Sequence, residues 1–369
     1  MDLEQLKGAG LYDPADPGAA ERHELLQYLV EEEGCSLEEL QAAHAQRRLF
    51  ALAGDRRIRP LVGLLSLRQA ATRLETDPVL LERVWRSFGL PDKGLDAAAL
   101  TEADVEALQT FLDVRAFLGE ETALAVARVA GASVARITEA ESSAMRMGMD
   151  AIDVSRSGSE VVTARAYAAV TRLVPRIGQM LDALHRQHLE ATRVHFEQVD
   201  IGDRAAFRCG VGFADLSGFT ALARQLPLPM LSRVLSVFEE AATETVQSQG
   251  GRIVKFLGDA VMWVSADPVD LVTIAHALVT HPLAAAEGIE VRAGVAYGRV
   301  LAQDGDYFGT PVNLASRLVA TAEAGQVLTA GELPGQLDRR WTATPGTPVV
   351  LRGFDAPVTP YLLSPPAGG

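Results

Sequence analysis

The sequence predicts an all-α N-terminal domain followed by an α+β domain. Residues 1 to about 150 carry apolar residues at helical spacing, with hardly a strand-like run among them. From Arg208 onward, strand-like runs alternate with amphipathic helical segments. We therefore expect a helical domain over residues 1–172, a linker helix over 173–202 and an α+β domain over 203–369.

Length, charge and cysteine content limit the class of protein. The 369 residues suffice for two domains that each have a core, and the net charge of -14 argues against a general nucleic-acid binder. Cys35 and Cys209 are too few for a disulfide framework or a thiolate metal site, which favours a reducing compartment. The first ten residues, MDLEQLKGAG, lack the features of a secretory signal, and no apolar run reaches the roughly 18 residues of a membrane span. We expect a cytoplasmic protein.

The first helices carry clear end signals. The segment from Glu21 to Glu33 has its apolar residues on one side and stops at Gly34. Ser36 is a favourable N-cap for the next helix, LEELQAAHAQRRLFAL, and Glu39 three residues later completes a capping box. These signals predict a helix bundle.

The segment from Ser66 to Asp104 has the outline of a helix-turn-helix. One interpretation is DNA binding, with Arg83 and Arg86 on the second helix. The other is a helical scaffold that serves protein contacts. We favour the scaffold, because Glu82 accompanies the arginines and Trp85 is typical of a core position.

The helical pattern continues from Leu112 to Ala144. It is interrupted at Ser155 to Ser159, SRSGS, which is either a hinge or an exposed turn. Helices are then predicted over Glu160 to Arg172 and over Pro175 to Glu197. Steps of four and three in the last helix form one seam: Ile177, Leu181, Leu184, His188, Ala191 and His195. Such a seam joins two chains or docks on the next domain.

Three of the seven histidines, His185, His188 and His195, lie in this last helix. One hypothesis is a pH-responsive switch, because protonation in mild acid would place charges in a packed seam. The alternative is that they are ordinary half-exposed helix residues. The sequence leaves both open.

The stretch RCGVGFADLSGFTAL, from Arg208 to Leu222, is the first that indicates chemistry. Apolar residues lead to Asp215, which we place at the end of a strand, and a polar turn follows. Because the turn opens a helical segment, several backbone N–H groups are available beside the carboxylate, an arrangement that suits a metal-bound polyphosphate. The candidate binding residues of the turn are Ser217, Gly218, Phe219 and Thr220.

A second carboxylate follows in GGRIVKFLGDAVMWV. Two strand-like runs, Arg252 to Phe256 and Ala260 to Val264, are separated by a short turn in which Gly258 permits a tight reversal. The tip of this hairpin presents Asp259. Two aspartates at the ends of neighbouring strands are typical of a two-metal site that acts on phosphorus.

Four further polar residues fit a nucleotide. Asn313 and Arg317 lie four residues apart on a predicted helix and share a face, where they suit a ribose and a phosphoryl group with developing charge. Lys255 lies two residues after Ile253 on a predicted strand, so the two side chains should point to the same face of the sheet. That face is otherwise apolar, and a lysine there loses free energy of hydration unless it has a partner. Asp306 is the natural candidate to couple with Lys255 through a bound substrate.

Four motifs together resemble the class III nucleotidyl cyclases: FADLSGFT, VKFLGDAVM, VRAGVAYGRV and DYFGTPVNLASRL. The resemblance covers roughly the last 165 residues and is specifically to bacterial adenylyl cyclases with a mycobacterial-like organisation; the first 200 resemble the regulatory half of such enzymes. The order of elements predicts helices on one face of a mainly antiparallel sheet, and the ferredoxin-like core of the family agrees with this α+β domain.

The resemblance implies a homodimer that converts ATP to 3′,5′-cyclic AMP and pyrophosphate. Asp215 and Asp259 of one chain would hold two divalent metal ions, Mg²⁺ or Mn²⁺. The other chain would supply Lys255 and Asp306 to read adenine rather than guanine, Asn313 to orient the ribose and Arg317 to stabilise the transition state. Arg299 and Arg352 fit the triphosphate tail, although a surface arginine without function is the alternative for Arg352.

Two other functions are the alternatives. One is a DNA-binding or signalling protein whose inactive cyclase-like domain senses nucleotide, and the complete set of catalytic residue types argues against it. The other is a diguanylate cyclase, which the absence of a GGDEF-like hairpin disfavours. The sequence leaves open the effector of the N-terminal domain, which is a proton, a lipid or other small molecule, or a partner protein. It also leaves open whether this domain inhibits or activates the enzyme, which metal ion is used and what cyclic AMP acts on downstream.

Overall fold

The computed structural model describes residues 3–59, 62–150, 159–198, 206–282 and 290–365. The chain divides into two compact units, Met1–Gln187 and His188–Gly369. The predicted domain boundary at 202–203, and all but the last residue of the SRSGS segment, lie outside the described residues.

In the described residues of the N-terminal unit, every regular element is a helix, as predicted. Its helices are α1 (Leu3–Gly8), α2 (Ala19–Gln27), α3 (Leu37–Ala45), α4 (Leu52–Ile58), α5 (Leu67–Arg73), α6 (Pro78–Ser87), α7 (Glu102–Leu118), α8 (Glu120–Asp150), α9 (Glu160–Thr171) and α10 (Val174–Gln198). The last of these begins in the N-terminal unit and ends beyond the boundary. No helix among the described residues combines the length and the apolar character needed to cross a membrane.

Local signals set the ends of these helices. The capping box of Ser36 and Glu39 is present at the start of α3. Two predicted continuous helices are wrong, because each is broken by a residue in the left-handed region: Arg47 after α3, with φ of 56°, and Gly119 between α7 and α8, with φ of 83°. A residue at positive φ cannot continue a right-handed helix.

The N-terminal unit has two apolar cores. One joins α2, α3 and α4 with α9; the other joins α5 to α8. Gly54 of α4 lets α9 approach closely, since a Cβ at this position would lie 2.4 Å from Cδ1 of Tyr167. Helix α9 therefore packs closely in the first core, although about 100 residues separate it from α4 in the sequence.

The helix-turn-helix outline corresponds to α5 and α6. Arg83 of α6 pairs with Glu120 at 2.8 Å, and Arg86 pairs with Asp92 at 2.6 Å. Both arginines therefore serve contacts within the unit, and Trp85 is buried as expected. These contacts support the scaffold interpretation over DNA binding.

The described residues of the C-terminal unit form one sheet of eight strands: β1 (Ala206–Leu216), β2 (Arg252–Phe256), β3 (Ala260–Ser265), β4 (Val291–Gln303), β5 (Asp306–Phe308), β6 (Val327–Thr329), β7 (Thr342–Pro345) and β8 (Tyr361–Ser364). The strand order is β2-β3-β1-β4-β6-β8-β7, and β5 pairs with β4. All pairs are antiparallel except β4 with β6. The predicted α+β class is confirmed.

Helices cover both faces of this sheet, so the predicted one-face arrangement is wrong. They are α11 (Phe219–Ala223), α12 (Leu228–Ser248), α13 (Pro268–Val279) and α14 (Thr310–Thr321). Helices α12 and α13 pack on one face, and α14 packs on the other. Gly294 of β4 makes room for α14, since a Cβ there would lie 2.4 Å from the backbone nitrogen of Val319. The central strands are therefore buried on both sides.

Lys255 does not share a face with Ile253, contrary to the parity argument. Ile253 pairs with Trp263, whereas Lys255 pairs with Met262, because a bulge interrupts the register between them. Directly paired residues of antiparallel strands point to the same face. Lys255 therefore lies on the face that α14 covers, where Met262 is also buried.

Candidate active site

The two candidate metal carboxylates lie at adjoining strand ends. Asp215, next to last in β1, is paired with Ala260, the first residue of β3. The N–H of Leu216 donates to the backbone oxygen of Asp259 at 3.1 Å. Gly258 has φ of 68°, as the tight turn requires. Burial raises the pKa of Asp215, Arg292 lowers it, and the charge of Asp259 raises it further.

Arg292, which the sequence analysis did not single out, binds Asp215 directly. Its Nε donates to Oδ1 at 2.6 Å and its Nη2 to Oδ2 at 3.2 Å. Its Nη1 donates to the carbonyl oxygen of Ala322, just past the end of α14, at 3.1 Å. One signal could have found it: an arginine that opens a nearly continuous apolar strand requires a buried partner.

The turn after Asp215 has the expected conformation. Gly218 has φ of 73° and α11 begins at Phe219. The N–H of Ser217 donates to the carbonyl of Glu290 at 2.7 Å, whereas its Oγ is buried without a hydrogen-bond partner in the described part of the chain. A buried hydroxyl in this condition is available to a ligand. The side chain of Thr220 lies outside what the structure describes.

Lys255 and Asp306 form a direct ion pair, in addition to any coupling through a substrate. Both side chains keep about a third of their surface exposed, 33% and 29%. Asp306 also accepts from the N–H of Tyr307 at 2.9 Å, and Arg252 donates to the Tyr307 hydroxyl at 2.6 Å. These contacts fix β5 next to β2 and leave one edge of the ion pair open.

Asn313 and Arg317 lie on the exposed side of α14, opposite the buried Leu314 and Leu318. Pro311 occupies the first turn, as expected. Within the described residues, neither Asn313 nor Arg317 forms a hydrogen bond or an ion pair through its side chain. Both are therefore presented for contacts outside the folded chain.

Of the two remaining arginines, Arg299 does not join Asp215 within one chain. Arg299 is paired with Arg208, seven residues before Asp215 along β1, which is roughly 23 Å for an extended strand. Arg352 is exposed after the buried Leu351. Their contribution to a triphosphate site stays a prediction.

The donors at the strand ends fit a hard divalent cation. Two carboxylates and the Ser217 hydroxyl offer oxygen only, and no group of three or more His, Cys, Asp or Glu that could hold a metal occurs in the described ranges. Mg²⁺ and similar ions are often held by one or two carboxylates, with substrate phosphates and water as the other ligands. The set suits an ion that arrives with phosphate.

Comparisons with known proteins agree with both units. Residues 5–192 match the adenylate cyclase regulatory domain family, and residues 204–364 match the adenylate and guanylate cyclase catalytic domain family. An uncharacterized protein of Mycobacterium tuberculosis is 46% identical, covering 98% of this chain and 94% of its own. An adenylate cyclase of Streptomyces coelicolor is 35% identical, covering 75% and 71%. A pH-sensitive adenylate cyclase of Mycobacterium tuberculosis is 31% identical, covering 87% and 81%.

Proposed function

The chain belongs to the adenylate cyclase family, with a regulatory domain before the catalytic domain, and from this premise we propose that it converts ATP to 3′,5′-cyclic AMP and pyrophosphate. The observation that carries the proposal is the convergence of Asp215, Asp259 and the unpartnered Ser217 hydroxyl at one end of the sheet. That end offers oxygen ligands and an open turn to a metal-bound triphosphate.

The reaction is an intramolecular displacement at the α-phosphorus. Two divalent cations held by Asp215 and Asp259, Mg²⁺ or Mn²⁺, would supply charge neutralisation and a more acidic ribose 3′-hydroxyl. The 3′-oxygen bonds to the α-phosphorus, the bond from phosphorus to the bridging oxygen breaks, pyrophosphate leaves and the hydroxyl proton passes to water. Arg317 stabilises charge on the phosphoryl oxygens, and Asn313 orients the ribose.

Phosphate contacts come from the turn and from two arginines. The turn of Ser217, Gly218, Phe219 and Thr220 holds the phosphates next to the carboxylates, through the Ser217 hydroxyl and backbone N–H groups. Arg299 and Arg352 hold the tail of the triphosphate. Since Arg299 of β4 is paired with Arg208, far along β1 from Asp215, it acts across the interface between two copies of the chain.

The ion pair of Lys255 and Asp306 supports ATP as the substrate. Adenine presents an acceptor nitrogen beside its N6 amino donor, so an ammonium and a carboxylate side by side match this edge. Guanine presents the opposite order of acceptor and donor, so neither side chain would face its complement on the base. A site built to hydrogen-bond one base edge discriminates against a base that presents the reverse pattern.

We propose that two copies share each site. One copy holds the cations through Asp215 and Asp259, and the other supplies Lys255, Asp306, Asn313 and Arg317. The exposure of Asn313 and Arg317 without partners in the described chain supports this division. Helix α10 also exposes apolar residues in the single chain that a second copy would cover: Met180 (52%), Leu184 (46%) and Leu189 (59%).

The test is a mixing experiment with purified full-length protein, Mn²⁺ and ATP, with GTP as the control substrate. Wild type should convert ATP to cyclic AMP and should not cyclise GTP. Asp215→Ala and Arg317→Ala should each be inactive. An equal mixture of the two variants should recover about a quarter of the activity, because half of the dimers then hold one intact site of two. No recovery would contradict the shared site, and no product from wild type would contradict the enzyme.

Regulation is proposed to act through α10. His185 and His188 are exposed in the single chain, and the side chain of His195 lies outside the described residues. Protonation of these histidines in mild acid would add charge to a seam between two copies and favour a different arrangement. The pH profile of activity should then change in a chain that begins near Gly202. Identical profiles would refute the histidine switch.

A small-molecule effector is the second mode of regulation that a specific feature supports. The N-terminal unit contains a cavity of about 640 Å³, lined among others by Lys7, Tyr12, Arg22 and His44. The carboxylates of Asp13 and Asp16 also line it and balance the charges of Lys7 and Arg22, so the size of the cavity, rather than its charge, suits a small molecule or a lipid. The proton and the small molecule are distinguished by titrating each against the full-length enzyme.

A further inference from the structure

Arg292 binds the carboxylate of Asp215, which in the proposed function is a ligand of a metal ion. Two of its nitrogens bind the two oxygens of Asp215, at 2.6 Å and 3.2 Å. The contact is mostly enclosed, since the side chains are 27% and 19% exposed. A forked guanidinium pair of this kind is among the stronger polar contacts in proteins.

When no nucleotide is bound, the ion pair of Arg292 and Asp215 reduces the repulsion between two neighbouring carboxylates. Asp259 adds a second negative charge near Asp215, and repulsion between two carboxylates with restricted access to water is costly. The guanidinium neutralises one of them. A free divalent cation would approach a carboxylate whose oxygens are both engaged, and it would meet the positive charge of Arg292 at short range.

Arg292 has a second anchor besides Asp215. Its third nitrogen, Nη1, donates to the carbonyls of Ala322 and Ala320 at 3.1 Å and 3.4 Å. These carbonyls end α14, the helix that carries Arg317. The guanidinium is therefore held from two sides, by the carboxylate of Asp215 and by the end of α14.

We propose that Arg292 is a positioning residue that holds Asp215 in the nucleotide-free enzyme and suppresses the binding of free divalent cation there. The cation then enters together with the triphosphate, whose negative charges offset the guanidinium. The inference rests on the metal role of Asp215 in the proposed function, and it goes further by assigning an order of arrival to metal and nucleotide.

The test measures Mn²⁺ binding to the full-length protein without nucleotide, from the electron paramagnetic resonance signal of free Mn²⁺. Arg292→Gln should bind Mn²⁺ about tenfold more tightly than wild type, because a like charge next to the site is removed. Arg208→Gln is the matched control: it removes one charge from another arginine–carboxylate pair of the same unit, with Glu332, and should change nothing. Asp215→Ala added to Arg292→Gln should abolish the gain.

Two further measurements keep the inference open to refutation. If Arg292→Gln does not fold, Arg292→Lys is measured instead. A lysine ammonium cannot bind both oxygens of Asp215 in the way a guanidinium does, so we expect Mn²⁺ to bind about threefold more tightly than in wild type. Mn²⁺ should also raise the melting temperature more in the variant than in wild type. Mn²⁺ affinity that is unchanged or weaker in the folded variant would overturn the proposal. Tighter Mn²⁺ binding without cyclic AMP production by any protein would instead count against the proposed function alone.

Discussion

The two units use charged side chains in different ways. In the N-terminal unit, most arginines pair with carboxylates, often between distant segments: Arg22 with Glu160, Arg48 with Asp55, Arg57 with Glu33, Arg68 with Asp96, Arg83 with Glu120 and Arg165 with Glu32. In the C-terminal unit, Asn313 and Arg317 have no partner among the described residues, and the Ser217 hydroxyl is buried without one.

The difference distinguishes charges that build a fold from charges directed at a ligand. Surface ion pairs contribute little each, so the pairs of the N-terminal unit act mainly by fixing which helices meet. Polar groups without partners are costly in a folded chain unless something else satisfies them. The Ser217 hydroxyl, two residues after Asp215, is such a group, and it marks this strand end as a place for a ligand.

The largest expected effect is on Asp215. Asp215→Ala should lower cyclic AMP production by at least about a thousandfold, since a lost metal carboxylate removes several kcal/mol of transition-state stabilisation. The control is Asp338→Ala, which removes an exposed carboxylate from the same unit and should retain activity. Product is measured by chromatography, with thermal melting to verify folding. Substantial activity in Asp215→Ala would show that this end of the sheet is not the metal site.

A second prediction concerns the base. The double variant Lys255→Glu/Asp306→Ser exchanges the open ion pair for the residue types that guanine would need, and it should lower kcat/KM for ATP by about a hundredfold while raising the preference for GTP. The matched control is Arg340→Glu/Asp338→Ser, the same kind of exchange in a pair that serves only its own loop. An unchanged ratio of GTP to ATP turnover would contradict base recognition by Lys255 and Asp306.

Local patterns in the sequence predicted the parts of the fold that neighbouring residues decide. The capping box at Ser36, the hairpin around Gly258 and the shared face of Asn313 and Arg317 all follow from spacing of a few residues. Each depends on helix or turn geometry alone.

Features that depend on distant pairing were missed. The bulge before Lys255 is created by the register of β2 against β3 and reverses the face that simple alternation assigns. Arg292 meets Asp215 across 77 positions, which no local period contains. The burial of the sheet on both faces follows from where α14 packs, and the glycine that admits it, Gly294, has no signal of its own in a single sequence.

A third prediction tests whether packing, rather than chemistry, governs the N-terminal unit. Gly54→Ala would place a methyl group against the ring of Tyr167 and should destabilise this unit by roughly 1–3 kcal/mol. Gly178→Ala is the matched control, because that helical glycine has nothing within 4 Å and the change should be neutral or slightly stabilising. Thermal unfolding of both variants checks this. Equal melting temperatures would mean that α4 and α9 are not closely packed.

The smallest expected effect is a pH dependence of stability in the C-terminal unit. Burial lowers the pKa of His276, whose ring packs edge-on against Trp341 with centroids 5.9 Å apart. Since the unfolded chain takes up this proton near pH 6.5 and the folded chain only at lower pH, the contribution of His276 is present above pH 6.5 and is lost as the pH falls below it. The melting temperature should therefore drop on acidification.

His276→Gln should flatten that drop between pH 7 and pH 5 by roughly one to two degrees. The exposed His185, replaced by Gln, is the control and should leave the slope of melting temperature against pH unchanged. The comparison separates two kinds of acid sensitivity. A half-buried histidine of the catalytic domain changes stability, whereas a histidine on α10 changes activity only if a second copy covers it. If the slope of melting temperature against pH were the same in His276→Gln as in wild type, groups other than His276 would cause the loss of stability in acid.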